Sequence, residues 1–171
     1  MKPTTWTRLD LFARQLFPFV MTLALVFVGT IPLHLPGQRV VAPSLSLIAL
    51  FYWSLHRPDL MPATAAFLLG LFHDILSGAP LGTGASAYLC VHALVHWQRQ
   101  FFHGKSFGIL WLGFTVVATL AALFGWMLTS MLAGTIVDAR AAALQTMATI
   151  GCFPLVVWVL WRCHLTVLRP S

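Results

Sequence analysis

Two ionisable pairs stand out in an otherwise apolar sequence: His73 beside Asp74, and His92 four residues before His96. His92 and His96 share one helix face, the spacing that two imidazole ligands of a metal ion use. His73 lies near the end of one candidate helix and His92 about ten residues into the next, an axial gap on the order of 10 Å. One ion does not bridge that gap, so no metal site is expected. His96, Gln98 and Arg99 read instead as a polar collar where a helix leaves a membrane. No GxSxG, HExxH, P-loop or paired-carboxylate pattern is present, and no nucleophile stands beside a base. The reading is therefore a protein without catalytic residues or cofactors. Cys90, Cys152 and Cys163 have no CxxC spacing and an odd total, and read as packing residues.

Asp74 is the residue that demands an explanation. The segment from Gly70 to Tyr88, GLFHDILSGAPLGTGASAY, runs from an apolar helix into a Gly/Pro loop. If that helix starts near Leu60, Asp74 lies about 14 residues along it, roughly 21 Å, in the far third of a membrane core. A bare carboxylate there is costly, and it sits near the negative end of its own helix dipole. It must be protonated or supplied with donors. The nearest are the unsatisfied N–H groups opening the next helix, around Gly82, Thr83 and Gly84, if the turn from Ser77 to Pro80 folds them back. Two readings stay open: Asp74 clamps a hairpin, or it serves a partner interface or solute site directly.

The elements that position these residues follow from composition. Of 171 residues, 59% are hydrophobic and 8% charged, against roughly 45–50% and about 25% in soluble domains. With a mean hydropathy of +0.86, the chain reads as an all-α integral membrane protein, one compact six-helix bundle. Spans are expected at about 16–33, 40–55, 60–77, 83–100, 107–132 and 141–162. The basic segment before the first span resembles a signal peptide, but its one candidate cleavage site, Ala42, precedes Pro43, and the run reads as a retained span. Six crossings with both termini cytoplasmic put Lys2, Arg8, Arg14, Arg57, Arg99, Lys105, Arg162 and Arg169 inside, leaving Arg39 and Arg140 outside. If the second span fails to cross, four lie inside and six outside, against the positive-inside rule. The pI near 10.1 then reflects orientation and contact with anionic lipid rather than nucleic acid.

Small residues at Ala118 and Ala122, at Ala121, Gly125 and Thr129, and at Ala143 and Gly151 around Met147 would let helices approach closely, within the chain or against a partner. Pro154 frees a backbone carbonyl in the sixth span. Arg57, Pro58 and Asp59 read as a tight turn with Asp59 as N-cap of the third helix. Phe51, Tyr52 and Trp53, with Trp97, Phe101 and Phe102, read as an interfacial belt.

These residues carry a resemblance. Arg57-Pro58-Asp59-Leu60, together with the string of Gly70, Leu71, Asp74, Leu76, Ser77, Gly78, Pro80, Leu81 and Gly82, resembles the MreD family of the bacterial rod-shape machinery; the likeness runs from Phe51 to Leu89 and from Gln98 to Phe107. The resemblance implies a non-enzymatic scaffold in the bacterial inner (cytoplasmic) membrane. Its implied partners are an MreC-like single-span protein and, through it, MreB and the glycan polymerase and transpeptidase of peptidoglycan synthesis. The family also looks like the substrate-capture subunits of vitamin transporters, which supplies the alternative function. Asp74, Gly78, Pro80 and Gly82 carry over as motif positions only.

Overall fold

The computed structural model describes residues 5–30, 42–102 and 104–167, with side chains described from Leu16 onward except those of Phe102, His164, Thr166 and Val167. Lys2, Arg39 and Arg169, and the expected span edges at 31–33 and 40–41, lie outside the described residues, as do the side chains of Arg8 and Arg14. The described chain is all-α: α1 (Thr5–Thr30), α2 (Leu45–His56), α3 (Ala63–Ser77), α4 (Thr83–Phe102), α5 (Phe107–Ala133) and α6 (Ala139–Val167). The first helix begins earlier than the apolar run, so the segment with Arg8 and Arg14 is already helical.

By length and composition α5 and α6 are long and apolar enough to cross a membrane. Helices α2, with 12 residues, and α3, with 15, are shorter, about 18 and 22 Å against a core of about 30 Å. The short α2 is possible because it lies at the centre, packed against α1, α4 and α6. Every residue from Ser46 to Leu55 is buried, and a helix sheathed by others does not have to match a lipid thickness.

Aromatic packing and polar ties fix α2 in register. Phe51 meets Phe114 of α5 at 5.2 Å and Phe153 of α6 at 6.0 Å between ring centroids, and Phe114 stacks on Phe153 at 4.4 Å. Ser46 pairs with Tyr88 (2.6 Å) and Ser54 with His92 Nδ1 (3.0 Å), both on α4. At the start of α2, the Ser44 N–H donates to Thr149 Oγ1 (2.9 Å), and Gln145 Nε2 donates to Ser44 Oγ (3.1 Å). Each hydroxyl removes a polar group from an apolar core by pairing it with another, which apolar surroundings require.

The turn before α3 differs from the expected one. Pro58–Leu60 forms a 3-10 turn, closed by Leu60 N–H to Arg57 O (3.0 Å) and Met61 N–H to Pro58 O (3.2 Å), and Pro62 rather than Asp59 is the N-cap of α3. The cause is the second proline, which restricts Met61 to extended backbone and cannot donate itself. Met61 is instead fully buried, anchoring the turn to the core.

In α6, Pro154 supplies no N–H for the carbonyl of Ile150. The indole of Trp111 on α5 supplies one, at 3.1 Å. We expect Trp111→Phe to lower stability in detergent by about 1 kcal/mol. In the Pro154→Ala background, where the restored backbone N–H can reach Ile150 O, the same change should have little effect. Equal losses in both backgrounds, read from thermal denaturation of the four proteins, would refute the assigned pairing.

Candidate functional site

The α3–α4 hairpin is built around a carboxylate. Gly78, at φ 68°, ends α3 in the left-handed region that a Cβ disfavours, and Ala79 N–H returns to Asp74 O at 3.1 Å. Ser77 Oγ donates to His73 O at 2.7 Å, and Pro80 O accepts from Thr83 N–H at 3.2 Å and its hydroxyl at 2.8 Å. Gly82, at φ 101°, then turns the chain into α4. The first N–H groups of α4 therefore point back at α3.

Asp74 is 1% exposed and receives them. Its Oδ1 accepts from Gly84 N–H at 2.7 Å, its Oδ2 from Gly82 N–H at 2.9 Å and from Ala85 N–H at 3.3 Å, and the Thr83 hydroxyl lies 3.3 Å from Oδ1. The carboxyl oxygens thus sit at the positive end of the α4 dipole and satisfy donors that no helical carbonyl can reach. It is an N-cap supplied from a different helix.

Two glycines permit the approach. A Cβ on Gly70 would lie 2.5 Å from Ala85 Cα and 2.7 Å from Gly84 O, and one on Gly84 would collide with the Asp74 carboxylate. Sequence reasoning used Gly84 only as a donor and did not include Ala85. The signal was available: Gly70 and Gly84 each lie seven residues from Ser77, the mirror positions of an antiparallel pair. Arg57, Pro58 and Asp59 are not brought to this site. They precede α3, whereas Asp74 lies near its end, about 17 Å away along the axis.

Beside the hairpin, a cavity of about 290 Å³ is bounded by α3, α4, α5, α6 and the start of α2. Ala121, Gly125 and Thr129 line the cavity, and no atom lies within 4 Å of where a Gly125 Cβ would stand. Trp126 Nε1 donates to Val137 O at 2.9 Å and ties the end of α5 to the turn beyond it. Ala143, Met147 and Gly151 face outward on α6. His73, whose Nδ1 is buried without a partner among the described residues, also lines the cavity, with its ring 5.7 Å from that of Tyr88. Among the described residues, no group of three His, Cys, Asp or Glu is placed to hold a metal ion.

Comparison with known proteins gives one family: the model of the rod shape-determining protein MreD matches residues 12–164. No curated protein and no solved structure matches the chain.

Asp74→Leu should destabilise the protein most, because it leaves several α4 N–H groups without acceptors at about 1–3 kcal/mol each. Asp74→Asn keeps one acceptor oxygen and should be intermediate. Gly70→Ala should be as damaging as Asp74→Asn, since only backbone could yield. Accumulation in the membrane and thermal denaturation of the three variants report the order, and an Asp74→Leu protein as stable as wild type would contradict the assigned geometry.

Proposed function

The chain belongs to the MreD family of rod shape-determining proteins, and we propose that it acts there as a non-enzymatic inner-membrane scaffold that binds an MreC-like single-span protein. Through that partner it helps to position or regulate lateral peptidoglycan synthesis by the MreB-organised polymerase and transpeptidase. In this reading all six helices cross, with both termini cytoplasmic. One end of the bundle supports the orientation. Lys105 lies over the Phe101 ring at 5.5 Å and Arg162 over the Trp158 ring at 5.2 Å, and Trp97 is 82% exposed, the basic and aromatic signature of a cytoplasmic interface.

The observation that carries the scaffold reading is the division of polar and apolar groups. Hydroxyl, amide and carboxylate groups inside the bundle pair with one another, while large apolar side chains such as Leu112, Leu120, Met131, Met147 and Leu155 cover the outside of α5 and α6. Such a molecule acts through its outer surface. On that surface Ala143, Met147 and Gly151 recur every four residues, a row into which a single partner helix can pack. The cavity favours the second reading, substrate capture, by supplying a space for a solute. Against it, the Thr83, Tyr88 and Thr149 hydroxyls and the Asp74 carboxylate that line the space are already engaged within the protein, which leaves the buried His73 Nδ1 as a polar group on this wall with no partner among the described residues.

Nothing stands within 4 Å of a Cβ at Gly151, so Gly151→Leu should fold and accumulate normally yet weaken co-purification of the MreC-like partner. Undiminished co-purification would remove the α6 row from the interface. A thermal-shift screen with vitamins should find no ligand, whereas a capture subunit would gain about 2.7 kcal/mol at a hundredfold excess over Kd. Cysteine labelling should reach position 140 from outside and position 105 from inside; an external position 105 would overturn the six-span orientation.

A further inference from the structure

We propose that the cavity beside the α3–α4 hairpin binds a small water-soluble organic ammonium ion, whose charge is taken by Asp138 and Trp126 at the mouth and whose second, hydrogen-bonding group is taken by His73. Trp126, Val137, Asp138 and Ala141 line the cavity where α5 turns into α6. Two hydrogen bonds hold that turn, from Trp126 Nε1 to Val137 O at 2.9 Å and from Val137 N–H to Ser130 Oγ at 3.4 Å. They keep the indole beside the residue that follows Val137, the exposed Asp138. Asp138 Oδ1 accepts the Arg140 N–H at 3.0 Å and so caps α6, but no Lys or Arg side chain pairs with this carboxylate among the described residues. A carboxylate next to an indole is the combination that holds an organic ammonium group.

The rest of the lining agrees in sign and shape. Its acids are Asp74 and Asp138, and no Lys or Arg lines the space among the described residues. The Asp74 oxygens are taken up by the start of α4, so Asp138 sets the preference for a cation. On α5, Ala118, Ala121, Ala122 and Gly125 form an apolar wall that suits an alkyl body. Two polar groups on the other walls stay open. The buried His73 Nδ1 has no partner among the described residues, and Gln145, which donates through Nε2 to Ser44 Oγ at 3.1 Å, has none for its amide oxygen. A hydroxyl on the guest both donates and accepts, and so meets either group. The volume of about 290 Å³ is about twice that of an engineered cavity that takes up benzene, which gives room for about ten non-hydrogen atoms. Such a site lies beyond the scaffold reading and depends on neither the partner nor the crossing direction.

The test uses the full chain in an uncharged maltoside detergent, irradiated with a primary alkylamine that carries an aliphatic diazirine or with the alcohol of the same skeleton, and mass-spectrometric mapping of the adducts. The amine should mark the inward residues Tyr88, Trp126 and Gln145 as well as the outward Leu120 and Leu155, and the alcohol should mark the inward ones about fivefold less. Asp138→Asn, which keeps an acceptor for the cap of α6, should bring the amine down to the level of the alcohol. Gly125→Leu should lower the inward adducts about tenfold and leave the outward ones unchanged. Ala122→Leu, on the same wall, repeats that measurement with an independent substitution. Unlabelled amino alcohols of four and six carbons should displace the amine probe about fivefold better than the plain amines of those lengths in wild type, and no better in His73→Phe. Inward adducts that are absent, or that persist in both filled variants, would overturn the site. Equal inward labelling by amine and alcohol would overturn the ammonium, and equal displacement by amino alcohols and plain amines in wild type would overturn the role of His73. Added phosphatidylethanolamine, whose headgroup carries the same ammonium, should leave the adducts unchanged; displacement by it would overturn the soluble guest in favour of a lipid headgroup.

Discussion

The hairpin between α3 and α4 depends on a single buried carboxylate. A membrane interior does not tolerate a bare anion, nor the open N–H groups at the start of a helix. Asp74 removes both problems at once by accepting from Gly82, Gly84 and Ala85. The close approach this requires sets the other local choices: no Cβ at Gly70 or Gly84, and positive φ at Gly78 and Gly82. Tyr88, about one and a half turns into α4 and paired with Ser46, then relates the hairpin to the central helix.

From that helix the architecture extends outward in layers. The buried α2 receives hydroxyl and amide contacts from α4 and α6 and aromatic contacts from α5 and α6. The outer surfaces of α5 and α6 carry large exposed apolar side chains. This member of the MreD family of rod shape-determining proteins presents an apolar surface held from within. At the cavity the interior opens toward the turn between α5 and α6.

Much of this was legible in the residues, for physical reasons that can be named. Apolar runs bounded by Pro, Gly and charge mark helices irrespective of packing, and the described elements correspond to the six runs with shifted ends. An ionisable residue in such a run announces that donors must exist, because its isolation is so costly. The 3-10 turn at Pro58 was not legible, because Asp59 has the chemistry of an N-cap and only the combined restriction from Pro58 and Pro62 displaces it. Nor was the cavity. Small residues at helical spacing permit either close contact or empty space, and composition does not distinguish the buried Ala121 from Gly125, beside which nothing stands within 4 Å of a Cβ. The buried state of α2 was hidden for a similar reason, since an apolar helix meeting protein and one meeting lipid have the same composition.

Residue-resolved amide hydrogen exchange across the starts of α4 and α5 tests the central claim most directly. Gly84 and Ala85 N–H are held by the Asp74 carboxylate, whereas the start of α5 at Ser106 has no side-chain cap. The account predicts that the Gly84 and Ala85 amides exchange far more slowly than those of Phe107 and Gly108. Exchange at Gly84 and Ala85 as fast as at Phe107 and Gly108 would contradict it.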